Sequence, residues 1–169
     1  MLEFRVSQTV DETFLTTCIE SAYHEYPRLV ARGNASLEHS VELVLEAIAE
    51  NGFAHIAVLD GTDVGAAWWT PEGSESVLAV AYFVAPESRN QGIASKLLET
   101  GISEARRQGV RSITVKTHPD NAASIALARK VGFEPVVALF RQDLTVAPGS
   151  NSGSNPGSNP GSDPGLVHG

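Results

Sequence analysis

Cysteine is nearly absent from this chain of 169 residues: Cys18 stands alone, so no internal disulfide can form. It falls at a helix core position and is expected to be a buried, inert thiol. Positive charge is scarce as well, with 12 Lys and Arg against 20 Asp and Glu and a formal net charge of −8. Binding nucleic acid relies on Lys and Arg neutralising phosphates, so no nucleic-acid partner is expected. No apolar run is long enough to span a bilayer, and no secretory leader is visible. No membrane partner and no metal are therefore expected, and the location expected is cytoplasmic. Glycine-rich phosphate motifs are also missing. The loop Arg89-Asn90-Gln91-Gly92 carries no lysine at its helix start, which excludes a P-loop, and it lacks the three glycines of a dinucleotide fingerprint.

What is present divides at about residue 147. Residues 1–147 are long enough for one domain with a sizeable core. Residues 148–169 repeat Gly-Ser-Asn/Asp-Pro with almost no apolar side chains, and a flexible C-terminal tail is expected there. Within the domain, Glu3 to Ser7 reads as a strand, and Asp11 as the N-cap of a helix carrying Phe14, Cys18 and Ala22. Pro27 and Gly33-Asn34 break that helix. A second helix follows Ser36, with Leu37, Val41, Val44, Leu45 and Ile48 on one face, and Asn51-Gly52 reads as its C-cap. Phe53–Leu59 and Val64–Thr70 flank Asp60-Gly61-Thr62-Asp63 as a hairpin, and Val77–Val84 is a further apolar strand. A helix from Gly92 to Gln108-Gly109, a strand over 111–117, a helix from Asn121 to Gly132 and one or two strands over 133–144 complete the chain. The order β-α-α-β-β-β-α-β-α-β-β predicts an α/β fold, a mixed sheet with helices on both faces.

The stretch from Leu78 to Ser95 runs strand, turn, glycine loop, helix. A loop of free N–H groups at a helix start holds an anion, usually a phosphate. Arg89-x-x-Gly92-x-Ala94 after Val84-Ala85-Pro86, together with Asn121-x-x-Ser124-x-x-Leu127 and Gly132-Phe133, resembles the GNAT superfamily of acetyl-CoA-dependent N-acetyltransferases. The resemblance covers roughly Phe53 to Leu144. It implies a GNAT-like three-layer fold whose central strands splay apart, and acetyl-CoA as co-substrate. The backbone of Gln91, Gly92, Ile93, Ala94 and Ser95 would cradle the pyrophosphate, with Asn90 in the same loop and Arg89 adding charge or bracing it. Tyr82, Phe83 and Val84 would pair with the pantetheine arm, and the N–H of Tyr82 would stabilise the oxyanion. Asn121 is either an N-cap, a contact to pantetheine or acceptor, or both.

The sequence departs from the family pattern on the catalytic side. Many relatives carry a tyrosine acid one residue after the motif leucine; here Leu127 is followed by Ala128. Ser124 matches the serine of the branch resembling ribosomal-protein N-terminal acetyltransferases, and implies a hydrogen-bond donor to the leaving thiolate or a helix-start hydroxyl. The usual glutamate base is missing. Glu25, Tyr26, Glu75 and His118 remain as candidates, and none is assigned. Trp68 and Trp69 are expected on opposite faces of their strand, one of them in the core. The resemblance implies direct attack by a primary amine, small-molecule or peptide, in a ternary complex. The missing acid and base keep a second reading open, a non-catalytic acyl-CoA-binding sensor or regulatory module. Dimers are common among relatives, so a homodimer is kept as an expectation.

Overall fold

A computed structural model describes residues 1–25, 36–72 and 77–136. The hairpin forms as its turn residues demand. Asp60 and Gly61 both take positive φ (51° and 81°), the type I′ signature, and join β2 (Phe53–Leu59) to β3 (Thr62–Pro71). With β1 (Leu2–Val6), β4 (Val77–Val84) and β5 (Ser112–Val115) they make one sheet in the order β1-β2-β3-β4-β5. The first three pairings are antiparallel and β4·β5 is parallel, the mixed sheet expected.

Among the described residues, two helices cover each face. On one side α1 (Glu12–Glu25) and α2 (Leu37–Asn51) bury Leu15, Cys18, Ile19 and Val41 against Ala54, Ile56, Ala66 and Trp68. On the other, α3 (Ile93–Arg107) packs Ile93, Leu97, Leu98 and Ala105 on Phe53, Trp69, Leu78 and Val80, and α4 (Ala122–Lys130) adds Leu127. Burial pushes the Cys18 thiol up to about 12, helped by the charge of Asp63, so it is inert as expected.

The helix ends are largely those written in the sequence. Ser36 caps α2, its hydroxyl accepting from the N–H of His39 at 3.2 Å. The α3 and α4 termini are Schellman motifs: Val110 N–H bonds Ala105 C=O and Gly109 bonds Arg106, while Phe133 bonds Ala128 and Gly132 bonds Arg129. One expected cap is corrected, and another, Gly52 at the C-cap of α2, holds its place in a different conformation. Gly52 is extended (φ −107°) rather than left-handed, and it is glycine because a Cβ would sit 2.3 Å from the Trp69 carbonyl oxygen. Asp11 is not the N-cap of α1 but ends a 3-10 turn, Thr9–Asp11. Its carboxylate is drawn to Arg5, at 2.6 Å to Nη1 and 2.9 Å to Nη2, and also accepts the Gln8 N–H. Residues 133–136 form no strand, and the expected strand over 137–144 and tail over 148–169 lie outside the described residues, as do Pro27 and Gly33-Asn34.

The Arg5 hydrogen bond holds the Asp11 carboxyl below its ordinary range, against the opposing effect of burial. The folded state therefore binds fewer protons than the unfolded chain, and the pair stabilises the fold fully above the unfolded carboxyl value. That stabilisation is lost as pH falls through the folded value. The urea midpoint should accordingly drop as pH falls below about 4, and Asp11→Asn should flatten part of that slope.

Candidate functional site

Among the described strands, β4 has neighbours on both sides for only half its length. Its parallel ladder with β5 runs from Val77↔Ser112 to Val80↔Val115 and stops, while its ladder with β3 continues to Gly65↔Val84. The bonds Glu72 N–H to Val77 C=O and Ala85 N–H to Val64 C=O fix which residues face β3: the odd-numbered ones. Strand alternation then turns the backbone groups of Tyr82 and Val84 toward the side where β5 has diverged. The central strands splay here, as the family resemblance implied.

A cavity of about 520 Å³ fills the splay, a size typical of small-molecule sites. Tyr82, Phe83, Val84, Arg89, Asn90, Gly92, Ile93, Ala94, Ser95, Asn121 and Ser124 all line it; Gln91 does not. The loop reaches it through a 3-10 turn, Pro86–Ser88, and positive φ at Asn90 (62°) and Gly92 (77°). Gly92 is the N-cap of α3, has no capping side chain, and is followed by a first turn without an acidic residue. The first N–H groups of α3 thus meet the cavity with the positive end of the helix dipole behind them.

Arg89 braces this loop rather than reaching freely outward. Its Nε donates to Val84 C=O at 2.8 Å, its guanidinium lies 5.5 Å from the Phe83 ring centre, and Nη2 pairs with Glu25 at the end of α1. Across the cleft, Asn121 caps α4, Oδ1 accepting the Ser124 N–H at 2.9 Å. The Tyr82 hydroxyl donates to Ser124 Oγ at 2.8 Å. Glu25 lines the cavity beside Arg89. His118 does not line it, and its Nδ1 accepts the Asp120 N–H at 3.2 Å. Tyr26 and Glu75 lie outside the described residues.

Several lining residues carried no sequence signal. Ser88 is buried in the wall, and Thr117 Oγ1 is buried at the end of β5 with no hydrogen-bond partner among the described residues. Ala22, Tyr23, Val44 and Trp68 also line the cavity. Trp69 points to the other face, fully buried and stacked on Phe53 at 5.0 Å. His55 is also buried there, edge-on to both rings, and desolvation lowers its pKa. Among the described residues no group of His, Cys, Asp and Glu could hold a metal ion, and no helix is long and apolar enough to cross a membrane.

The cleft thus lies where the last two strands of the described sheet part, beside an uncapped helix start. The chain belongs to the Acetyltransferase (GNAT) family, whose model matches residues 15–133. It is 36% identical over 67 residues to an L-methionine sulfoximine/L-methionine sulfone acetyltransferase of Pseudomonas aeruginosa, the match covering 39% of each chain. The matched stretch is thus less than half the length of that relative. Among solved structures it resembles a ribosomal-protein-alanine N-acetyltransferase from Brucella melitensis at 27% identity and TM-score 0.65, covering 78% of this chain and 84% of that one. It shares its fold with yncA from Salmonella typhimurium, solved with its cofactor acetyl-CoA, at 20% identity and TM-score 0.68, covering 80% and 81%.

Proposed function

We propose that the chain is an N-acetyltransferase that moves the acetyl group of acetyl-CoA to a primary amine by direct attack in a ternary complex. The observation that carries this is the divergence of β5 from β4 after Val80, beside a cavity that Tyr82, Val84 and the start of α3 all line. The N–H groups of Ile93, Ala94 and Ser95 would receive the pyrophosphate, with Gly92 supplying the left-handed turn that any other residue would strain to adopt. Val84, Thr117 and Asn121 would hold the pantetheine amides. The Tyr82 N–H would stabilise the oxyanion as the amine attacks the thioester carbon, a contribution of about 3 kcal/mol in comparable sites. Ser124 would then donate a hydrogen bond to the departing sulfur.

The acceptor would enter at the end walled by Ala22, Tyr23, Val44 and Trp68, which favours an amine with an apolar body. Small amino-acid amines of the type named for the Pseudomonas relative are the first to try, ahead of peptide N-termini. Calorimetry should show acetyl-CoA binding, and thiol release should follow on addition of one or more amines from such a panel. Failure to bind acetyl-CoA would sink the proposal. Binding without release on any amine would turn the chain into an acyl-CoA-binding module instead.

A further inference from the structure

We infer that Tyr82 and Ser124 form a two-hydroxyl proton relay to the leaving thiolate, so that Tyr82 serves the transfer through its side chain as well as its backbone. The inference rests on the acetyl transfer proposed above and deepens it. Three observations meet at this pair. The Tyr82 hydroxyl donates to Ser124 Oγ at 2.8 Å across 42 residues of sequence, joining β4 to α4 over the cavity that both residues line. Ser124 is buried, and Asn121 Oδ1 accepts its N–H at 2.9 Å, which fixes the residue at the cavity wall. Ser124 also sits in the first turn of α4, where the helix dipole favours negative charge.

The direction of the bond follows from acidity. A phenol, with an ordinary pKa of about 10, is far more acidic than an alkyl hydroxyl and is the natural donor of the two. A serine alone is a poor acid, and Ala128 leaves α4 without a tyrosine of its own. With its oxygen accepting from Tyr82, Ser124 is polarised to give up its proton toward the cleft. As the tetrahedral intermediate collapses, the C–S bond breaks and its electron pair goes to sulfur. The Ser124 proton moves to sulfur and the Tyr82 proton to Ser124 Oγ. The phenolate recovers a proton from solvent, and the amine nitrogen loses one to solvent, so the exchange balances as thiol plus amide. Ser124 touches the reacting sulfur; Tyr82 acts through it as a positioning and proton-supplying residue.

Tyr82→Phe, Ser124→Ala and the double variant test the relay against wild type in thiol-release kinetics with acetyl-CoA and an accepted amine. Each single change should lower kcat about 10- to 100-fold, with KM for acetyl-CoA nearly unchanged. The double variant should be no slower than the slower single one, because both remove the same chain. Wild-type kcat should show an alkaline limb in the phenol range that Tyr82→Phe lacks. Multiplicative losses, a loss confined to KM, or an alkaline limb that survives in Tyr82→Phe would each overturn the relay. A wild type that binds acetyl-CoA but releases no thiol would remove the transfer itself and the relay with it. A fully active wild type with unimpaired variants would remove the relay alone.

Discussion

Replacing Gly101 with alanine destabilises the fold by about 2 kcal/mol, although helix propensity alone predicts a gain of about 1 kcal/mol. Gly101 lies on the inner face of α3, and a Cβ there would stand 1.9 Å from Trp69 Cζ2 and 2.0 Å from Cη2. Trp69 cannot retreat. It is wholly buried, stacked on Phe53, and backed by His55 edge-on. Overpacking a rigid site costs about 1–3 kcal/mol and sometimes more, which outweighs the propensity term. For a domain of this size the melting temperature should fall by roughly 4–8 °C. Trp69→Phe removes the ring atoms that collide, so Gly101→Ala combined with Trp69→Phe should lose less than the sum of the two changes. Denaturant midpoints of the four proteins measure that cycle. Strict additivity would mean that the contact between α3 and β3 is not what forbids a side chain at 101.

Arg89→Ala should weaken acetyl-CoA binding by about 10- to 100-fold, the scale of one lost charge-assisted hydrogen bond with its partner left behind. The guanidinium holds the Val84 carbonyl, overlies Phe83 and reaches Glu25, three contacts that only a planar fork makes together. Arg89→Lys should therefore fail to restore affinity. Glu25→Gln removes only a partly exposed ion pair, worth about 1 kcal/mol at most, and should change the affinity less than about fivefold. Titration calorimetry separates the three. Full rescue by lysine would show that Arg89 acts as a simple positive charge on the ligand.

Features governed by a few neighbouring residues are legible in the amino-acid sequence. The Asp60-Gly61 turn, the Ser36 cap, the glycines that end α3 and α4, and the loop from Arg89 to Ser95 each depend on local backbone chemistry. Of the twelve residues expected to meet a cofactor, all but Gln91 line the cavity, because that loop and strand are placed by local chemistry. Side chains whose partners come from distant parts of the chain are less legible. Asp11 has the local pattern of a cap, but Arg5 on β1 and Asp63 on β3 decide otherwise. Gly52 is the right residue for a different reason, a carbonyl on β3 rather than a left-handed turn. The Tyr82–Ser124 bond has no sequence signal at all, because a string of residues shows neither hydroxyl's orientation.

Trp68 and Trp69 are adjacent in the chain yet belong to separate territories of the molecule. The first lines the cavity, and the second anchors the sheet against α3. Point substitution at 68 can thus reshape the cavity wall without touching the packing at 69. An insertion or deletion in β3 has no such freedom, since a shift of one residue would exchange the two rings and present the anchor to the substrate. Tolerance in this strand should be to replacement, never to length.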